Sequence, residues 1–256
     1  MSSLSVRYLG GPTAVMEIGG VRLVVDPTFD AAGDYPIGDR KLTKTAGAVL
    51  GPDGIGPVDA VLLSHDQHPD NLDRGGRAYL AGVPLTLTTE TAAGRLGGTA
   101  RALPNWEHVE LPRPGGGVLR VTGVPAQHGP DGTEHLTGPV TGFVLSGDGV
   151  PATYVSGDNA SLDVVRAIAG RFAPFDVAVL FMGAARTPLI GDADLTLGSE
   201  AAAEAAGILR TAQVVPLHFE GWAHFTQGRD TIAPAFAKAG LADRLHLLDP
   251  GEAIAL

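Results

Sequence analysis

Residues 58–73 read VDAVLLSHDQHPDNLD. The largely apolar start, 58–63, is short and β-branched, which predicts a buried strand. It stops at Ser64 and then presents His65, Asp66, His68, Asp70 and Asn71 within seven residues. Imidazole and carboxylate are the ligands divalent metals take where no thiolate is offered. A loop after a strand holds such groups over the edge of a sheet, where open α/β sheets place ligands. A solvated loop whose Asp-Asn-Leu-Asp caps the next helix would explain the polarity. It would not explain two histidines among three carboxylates.

Outward from this stretch the same event recurs. A short apolar strand ends and the next residues offer His or Asp: Leu63 into His65–Asp70, Val124 into His128, Val155 into Asp158, Leu217 into His218. Eight histidines scattered at random would not prefer strand exits. His108 and His246 fall inside strand patterns and read as ordinary surface or core residues. His135 and His224 are left open between substrate contacts and no role. Asp26-Pro27 closes an early strand, and Asp26 reads equally as a turn residue or as support beneath a metal site.

The rest of the pattern is strand-rich with interspersed helices. Strands are expected at 5–9, 14–18, 21–25, 85–88, 106–111, 118–124, 141–145, 152–155, 176–181, 213–217, 245–248 and 253–256. Helices are expected at 74–80, 90–96, 161–172, 199–210 and 231–241. Residues 28–57 show no periodicity and carry several glycines and prolines, which predicts a long functional loop or lid. With 36 glycines and 19 prolines, short elements joined by tight turns are expected throughout. No linker or repeat divides the chain, so 1–256 is expected to be a single domain.

Composition narrows the function classes. At 44% hydrophobic and 18% charged, the chain has material for a large core. A formal charge of −10 opposes nucleic-acid binding, which rests on Lys and Arg neutralising phosphates. There is no cysteine, so thiolate metal sites, disulfides and cysteine nucleophiles are excluded. Residues 1–7 lack the start of a secretory signal, and no apolar stretch reaches membrane-spanning length. A cytoplasmic protein with a small-molecule substrate and no membrane partner is expected, with homo-oligomerisation left open. Ser64 and Ser156 lack the G-x-S-x-G elbow of serine hydrolases.

Five motifs in order carry a family resemblance: the strand 21–25 ending in Asp26-Pro27, Ser64–Asp73, Gln127-His128-Gly129-Pro130, Ser156-Gly157-Asp158, and Val215-Pro216-Leu217-His218-Phe219. With them the chain resembles the metallo-β-lactamase-fold hydrolases, in the branch similar to L-ascorbate-6-phosphate lactonases. The resemblance implies an α/β, four-layer αββα sandwich with metals at one edge of its two sheets. It implies one or two divalent ions, zinc or manganese with iron also open. His68, His128 and either His65 or Asp66 would hold the first, and Asp70 and His218 the second, with Asp158 bridging. Asp70 would also orient an activated water and take up its proton. Two departures stand out: H-D-Q-H replaces H-x-H, and Asn71 stands where the family has its last histidine. With Asp66, Asp70 and Asp158 all offered, oxygen ligands would shift preference from zinc towards manganese or iron. The implied activity is hydrolysis of a small ester, lactone or amide, with Lys41, Lys44 or Arg186 available for an anionic group. A phosphodiesterase is the alternative, and a metal-poor binding protein on the same fold is the reading from another class.

Overall fold

The structure is a computed structural model that describes residues 4–256; residues 1–3, part of the stretch on which the expectation about a secretory signal rests, lie outside the described residues. The chain opens as an antiparallel meander of β1 (Leu4–Gly10), β2 (Thr13–Ile18) and β3 (Val21–Val25). Gly19 and Gly20 join the last two at φ +60 and +84. Two consecutive positive φ values are what a two-residue type I′ turn demands.

Residues 28–57 are not structureless. β4 (Gly33–Ile37) and β5 (Arg40–Lys44) pair as a separate two-stranded hairpin, followed by a single turn of helix, α1 (Pro52–Ile55). Asp34 ties the two strands by accepting from Lys41 Nζ at 2.6 Å and Thr43 Oγ1 at 2.7 Å. Cross-strand polar pairs of this kind leave no alternation of apolar residues to read.

β6 (Ala60–Leu62) then runs parallel to β3, and α2 (Arg74–Leu80), β7 (Thr86–Thr88), α3 (Glu90–Leu96) and β8 (Ala100–Ala102) extend the first sheet in parallel. The second sheet is built from β9 (His108–Pro112), β10 (Val118–Pro125), β11 (Thr141–Gly147) and β12 (Val150–Val155), with a short α4 (Glu134–Thr137) in one connection. Next come α5 (Leu162–Phe172), β13 (Val177–Phe181), α6 (Ser199–Leu209), β14 (Gln213–Leu217) and α7 (Arg229–Lys238). β15 (Ala253–Ala255) returns to pair with β1 in the first sheet. Residues 245–248, expected as a strand, pair with β14 through an isolated bridge between Val214 and Leu245 and form no strand of their own.

Period-2 alternation divides the first sheet between two cores. Leu4, Val6, Tyr8, Met16, Leu23, Val25 and Leu62 face the second sheet; Leu9, Val15, Val24, Val61 and Leu63 face Leu72 and Leu80 at α2. Both faces are covered, so these strands read as continuous apolar runs. On the far side of the second sheet, Val165 and Ile168 of α5, Ala202 and Leu209 of α6, and Ile232 and Phe236 of α7 close the core. The result is the expected four-layer αββα sandwich of the metallo-β-lactamase fold.

Parallel pairing sets where the strand exits fall. Val25 is in register with Leu62, so Asp26 and Ser64 leave the first sheet side by side. Val155 pairs into Val179, and Phe181 into Leu217, so Ser156–Asp158 and His218 leave the second sheet at the same end. Asp73 anchors the motif loop. Its carboxylate caps α2 by accepting from Gly76 N at 2.7 Å and also takes Phe29 N, Asp30 N and Lys44 Nζ. α2 comes so close to the chain after β3 that a Cβ on Gly76 would lie 1.8 Å from the Pro27 carbonyl oxygen. Gly76→Ala is therefore expected to destabilise the fold by about 3 kcal/mol, seen as a lowered urea midpoint at unchanged slope.

Candidate metal centre

Three imidazoles meet at the first-sheet side of this rim. His68 Nδ1 lies 3.0 Å from His65 Nε2 and 3.2 Å from His128 Nε2. The tautomers of two of them follow from their outer partners. His128 donates through Nδ1 to the Leu195 carbonyl at 2.8 Å, which leaves Nε2 as a lone pair. Ser64 Oγ donates to Asp26 Oδ2 at 2.6 Å, so its oxygen accepts from His65 Nδ1 at 2.9 Å, and His65 Nε2 is again a lone pair. Two lone pairs and a third ring nitrogen thus converge, an arrangement that could hold a shared cation. Burial pushes His65 well below the ordinary imidazole range and His68 down to about 4, with neighbouring imidazoles adding to both. Both rings are neutral at pH 7, the state in which imidazole binds metal.

Asp70, Asp158 and His218 form the second group. His218 Nε2 lies 3.3 Å from Asp70 Oδ2, and its Nδ1 lies 3.2 Å from Asp158 Oδ1. Asp158 Oδ2 is 3.5 Å from His128 Nε2, so this carboxylate stands between the two groups. In each group one donor atom per residue lies within 4.8 Å of the others. Burial works against ionising Asp70 and Asp158, yet the imidazoles beside them hold both carboxyls well below the usual range. Burial likewise opposes charging His218, but Asp158 and Asp70 raise it to about 10.

Asp70 Oδ1, Asp158 Oδ2, Asn71 Oδ1 and both His218 nitrogens are buried without hydrogen bonds. Unpaired polar atoms in such number are costly unless a further group satisfies them. Neutral imidazoles beside ionised carboxylates are the donor chemistry of a divalent cation, and the residues present fit one.

The structure separates the residues the sequence left together. His65, not Asp66, joins His68 and His128. Asp66 turns away and is gripped by Arg95, which also reaches it through Nε at 3.1 Å, and by Arg77 at 3.4 Å. Asn71 links carboxylates instead: its Nδ2 donates to Asp26 at 3.0 Å and Asp158 at 3.1 Å. Asp26 is a support residue, accepting also from Ser64 N at 2.6 Å. Burial raises its carboxyl to about 7 against those hydrogen bonds. His224, undecided in the sequence, brings Nε2 to 3.0 Å from Asp70 Oδ2. Its spacing from His218 carries no signal, because 218–224 is an irregular turn rather than a helix. Asp26 and His218 hold positive φ values of 35 and 56. Non-glycine residues adopt that region rarely, and here it aims both side chains across the rim.

The centre opens into a cavity of about 390 Å³, with His68, Asp70, His128 and His224 in its lining. The hairpin β4–β5 contributes Ile37, Arg40, Lys41 and Leu42 to its wall. Lys44 is buried against Asp73 at 2.8 Å, Lys41 pairs with Asp34 at 2.6 Å, and Arg186 with Asp194 at 2.6 Å. All three cations considered for an anionic group are thus already matched. Asn71→Ala would leave two buried carboxylates short of a donor. It is expected to cost about 1–3 kcal/mol in chemical unfolding of the metal-free chain.

Comparison with known proteins gives the chain's relatives. Residues 21–219 match the family model described as the beta-lactamase superfamily domain. A UPF0173 metal-dependent hydrolase of Thermus thermophilus is 30% identical over 263 residues, covering 99% of each chain. One from Pyrococcus abyssi is 25% identical over 257 residues, covering 99% of this chain and all of its own. Among solved structures, an isothiocyanate hydrolase from Delia radicum gut bacteria superimposes with a TM-score of 0.83 at 21% identity, over 98% of each chain. Igni18, a metallo hydrolase from Ignicoccus hospitalis, gives a TM-score of 0.74 at 20% identity, over 99% of this chain and 98% of its own. At those identities the structures speak for the fold. The chain belongs to the beta-lactamase superfamily, within its UPF0173 metal-dependent hydrolase family.

Proposed function

We propose that residues 1–256 act as one metal-dependent hydrolase that cleaves a small carbonyl ester or lactone. The observation that carries this reading is the pair of buried donor groups, linked through Asp158, at the floor of a cavity. His65, His68 and His128 would hold one ion, Asp70 and His218 a second, with Asp158 between them. Once Asp66 is engaged by arginines, four imidazoles face two carboxylates. That balance supports zinc over manganese, since the ligand set is less rich in oxygen than the sequence suggested.

A divalent ion seated there supplies Lewis acidity, which brings the pKa of water to about 7 and polarises the oxygen of a scissile carbonyl. The chain's own residues do the rest. Asp70 offers its unpaired Oδ1 to the attacking water and orients it, while His218 and His224 fix the carboxylate through Oδ2. With Oδ2 held by two imidazoles and Oδ1 left unpaired, Asp70 is assigned the orienting role. Asp26, through Ser64, holds His65 in the tautomer that points Nε2 inward. The paired cations of the wall weigh against a phosphodiester, which would need them free.

Elemental analysis after zinc loading is expected to give about one to two ions per chain. Asp158→Asn and His218→Ala should each lower that number, and a wild-type stoichiometry near zero would instead favour a metal-poor binding protein. Asp70→Asn should lower kcat at least about 10²-fold on a lactone panel. Activity confined to bis(p-nitrophenyl) phosphate would overturn the ester reading.

Proton linkage provides a second check. In the metal-free chain the contribution of charged His218 to stability is complete below about 6.5 and is lost as pH rises through about 10. Metal binding must expel that proton. Zinc uptake near pH 8 should therefore release about one proton per chain in lightly buffered calorimetry, and apparent affinity should rise with pH.

A further inference from the structure

Three large apolar side chains are exposed among the described residues: Val49, Leu136 and Leu189. Two of the three stand on the same cavity. Leu136, 44% exposed, comes from α4, and Leu189, 52% exposed, from the loop after β13. Ile190 and the buried Leu195 continue the apolar wall beside Leu189. Both segments are held in place. Gln67 Nε2 donates to the Thr137 and Pro139 carbonyls at 3.2 and 3.0 Å, which ties the end of α4 to the motif loop. Leu195 N donates to the Ala185 carbonyl at 2.8 Å, and Ile190 N to Thr187 at 3.1 Å, which close the second segment on itself.

Three of the four Lys and Arg side chains on the same wall are paired with aspartates. Lys41 meets Asp34, Arg186 meets Asp194, and Arg95 meets Asp66. Arg40 alone among these wall cations faces a neutral partner, donating to Thr187 Oγ1 at 2.9 Å. At Lys41, Arg186 or Arg95 a phosphate or carboxylate on the substrate would have to displace an aspartate or lie beside one, and at Arg40 it would displace the Thr187 hydroxyl. An alkyl or aryl group would instead cover leucines that water otherwise wets.

We propose that this cavity selects an uncharged carbonyl substrate with an alkyl or aryl tail, the tail lying against Leu136, Leu189 and Ile190. The inference rests on the hydrolase reading above and names the kind of substrate that site takes. It departs from the anionic group for which the sequence reading offered Lys41, Lys44 or Arg186. Arg40 is left to meet a neutral oxygen of the substrate rather than an anion.

The test uses two series on the zinc-loaded protein: γ-lactones with tails of increasing length, and alkyl hydroxamates of two to eight carbons. Hydroxamate binding is read by calorimetry and needs no turnover. Both kcat/KM and affinity are expected to rise about fourfold per methylene until the cavity is filled. The slope should flatten in L136D, L189D and the double variant, with melting midpoints close to wild type because both positions are exposed. A flat dependence on length in wild type, or tighter binding of hydroxamates ending in a carboxylate, would overturn the inference. A hydroxamate slope without turnover of any lactone would uphold the tail subsite while removing the ester class proposed above.

Discussion

A carboxylate taken out of water persists only where donors or cations surround it, and three such groups share one rim of this molecule. Asp26 takes two hydrogen bonds from Ser64 and one from Asn71. Asp158 lies among Asn71, His128 and His218, and Asp70 among His218 and His224. Satisfying these anions dictates which side chains come from each strand exit. The imidazoles answer the carboxylates, Ser64 orients His65 and the Leu195 carbonyl orients His128, and the parallel registers of β3 with β6 and of β12 through β14 bring them within reach. The sandwich supplies the alignment, and electrostatics supplies the reason for each residue type.

Much of this was legible before any coordinates. Buried strands announce themselves as apolar runs, and a polar residue at the end of such a run has one place to go. His68, His128, Asp158 and His218 could therefore be grouped from four distant stretches, and the four-layer architecture followed from the resemblance. What could not be read was which way a side chain turns. His65 and Asp66 are adjacent, and the choice between them lies with Arg95, 29 residues on, whose claim on Asp66 has no local signature. The same holds for Asn71, whose amide binds Asp26 and Asp158 across 45 and 87 residues.

The hairpin β4–β5 was illegible for a different reason. Its faces carry no alternation, since Tyr35 is the buried residue of a strand that otherwise reads Gly-Asp-Pro-Ile. Its stability comes from tertiary docking: Lys44 bridges to Trp222, Thr45 N donates to the Gly221 carbonyl, and Ala223 N to the Thr43 carbonyl. Local sequence carries little trace of pairing that is decided some 180 residues later. The 218–224 turn, which also brings His224 to Asp70, is the other half of that contact.

The pair formed by Lys44 and Asp73 has a bearing on traffic through the cavity. Swinging the hairpin outward would strand a buried ammonium and remove one partner from a carboxylate that also fastens residues 29, 30 and 76. That side of the mouth behaves as a fixed jamb. The 187–190 segment leans on that jamb, since Thr187 Oγ1 accepts from Arg40 of the hairpin at 2.9 Å.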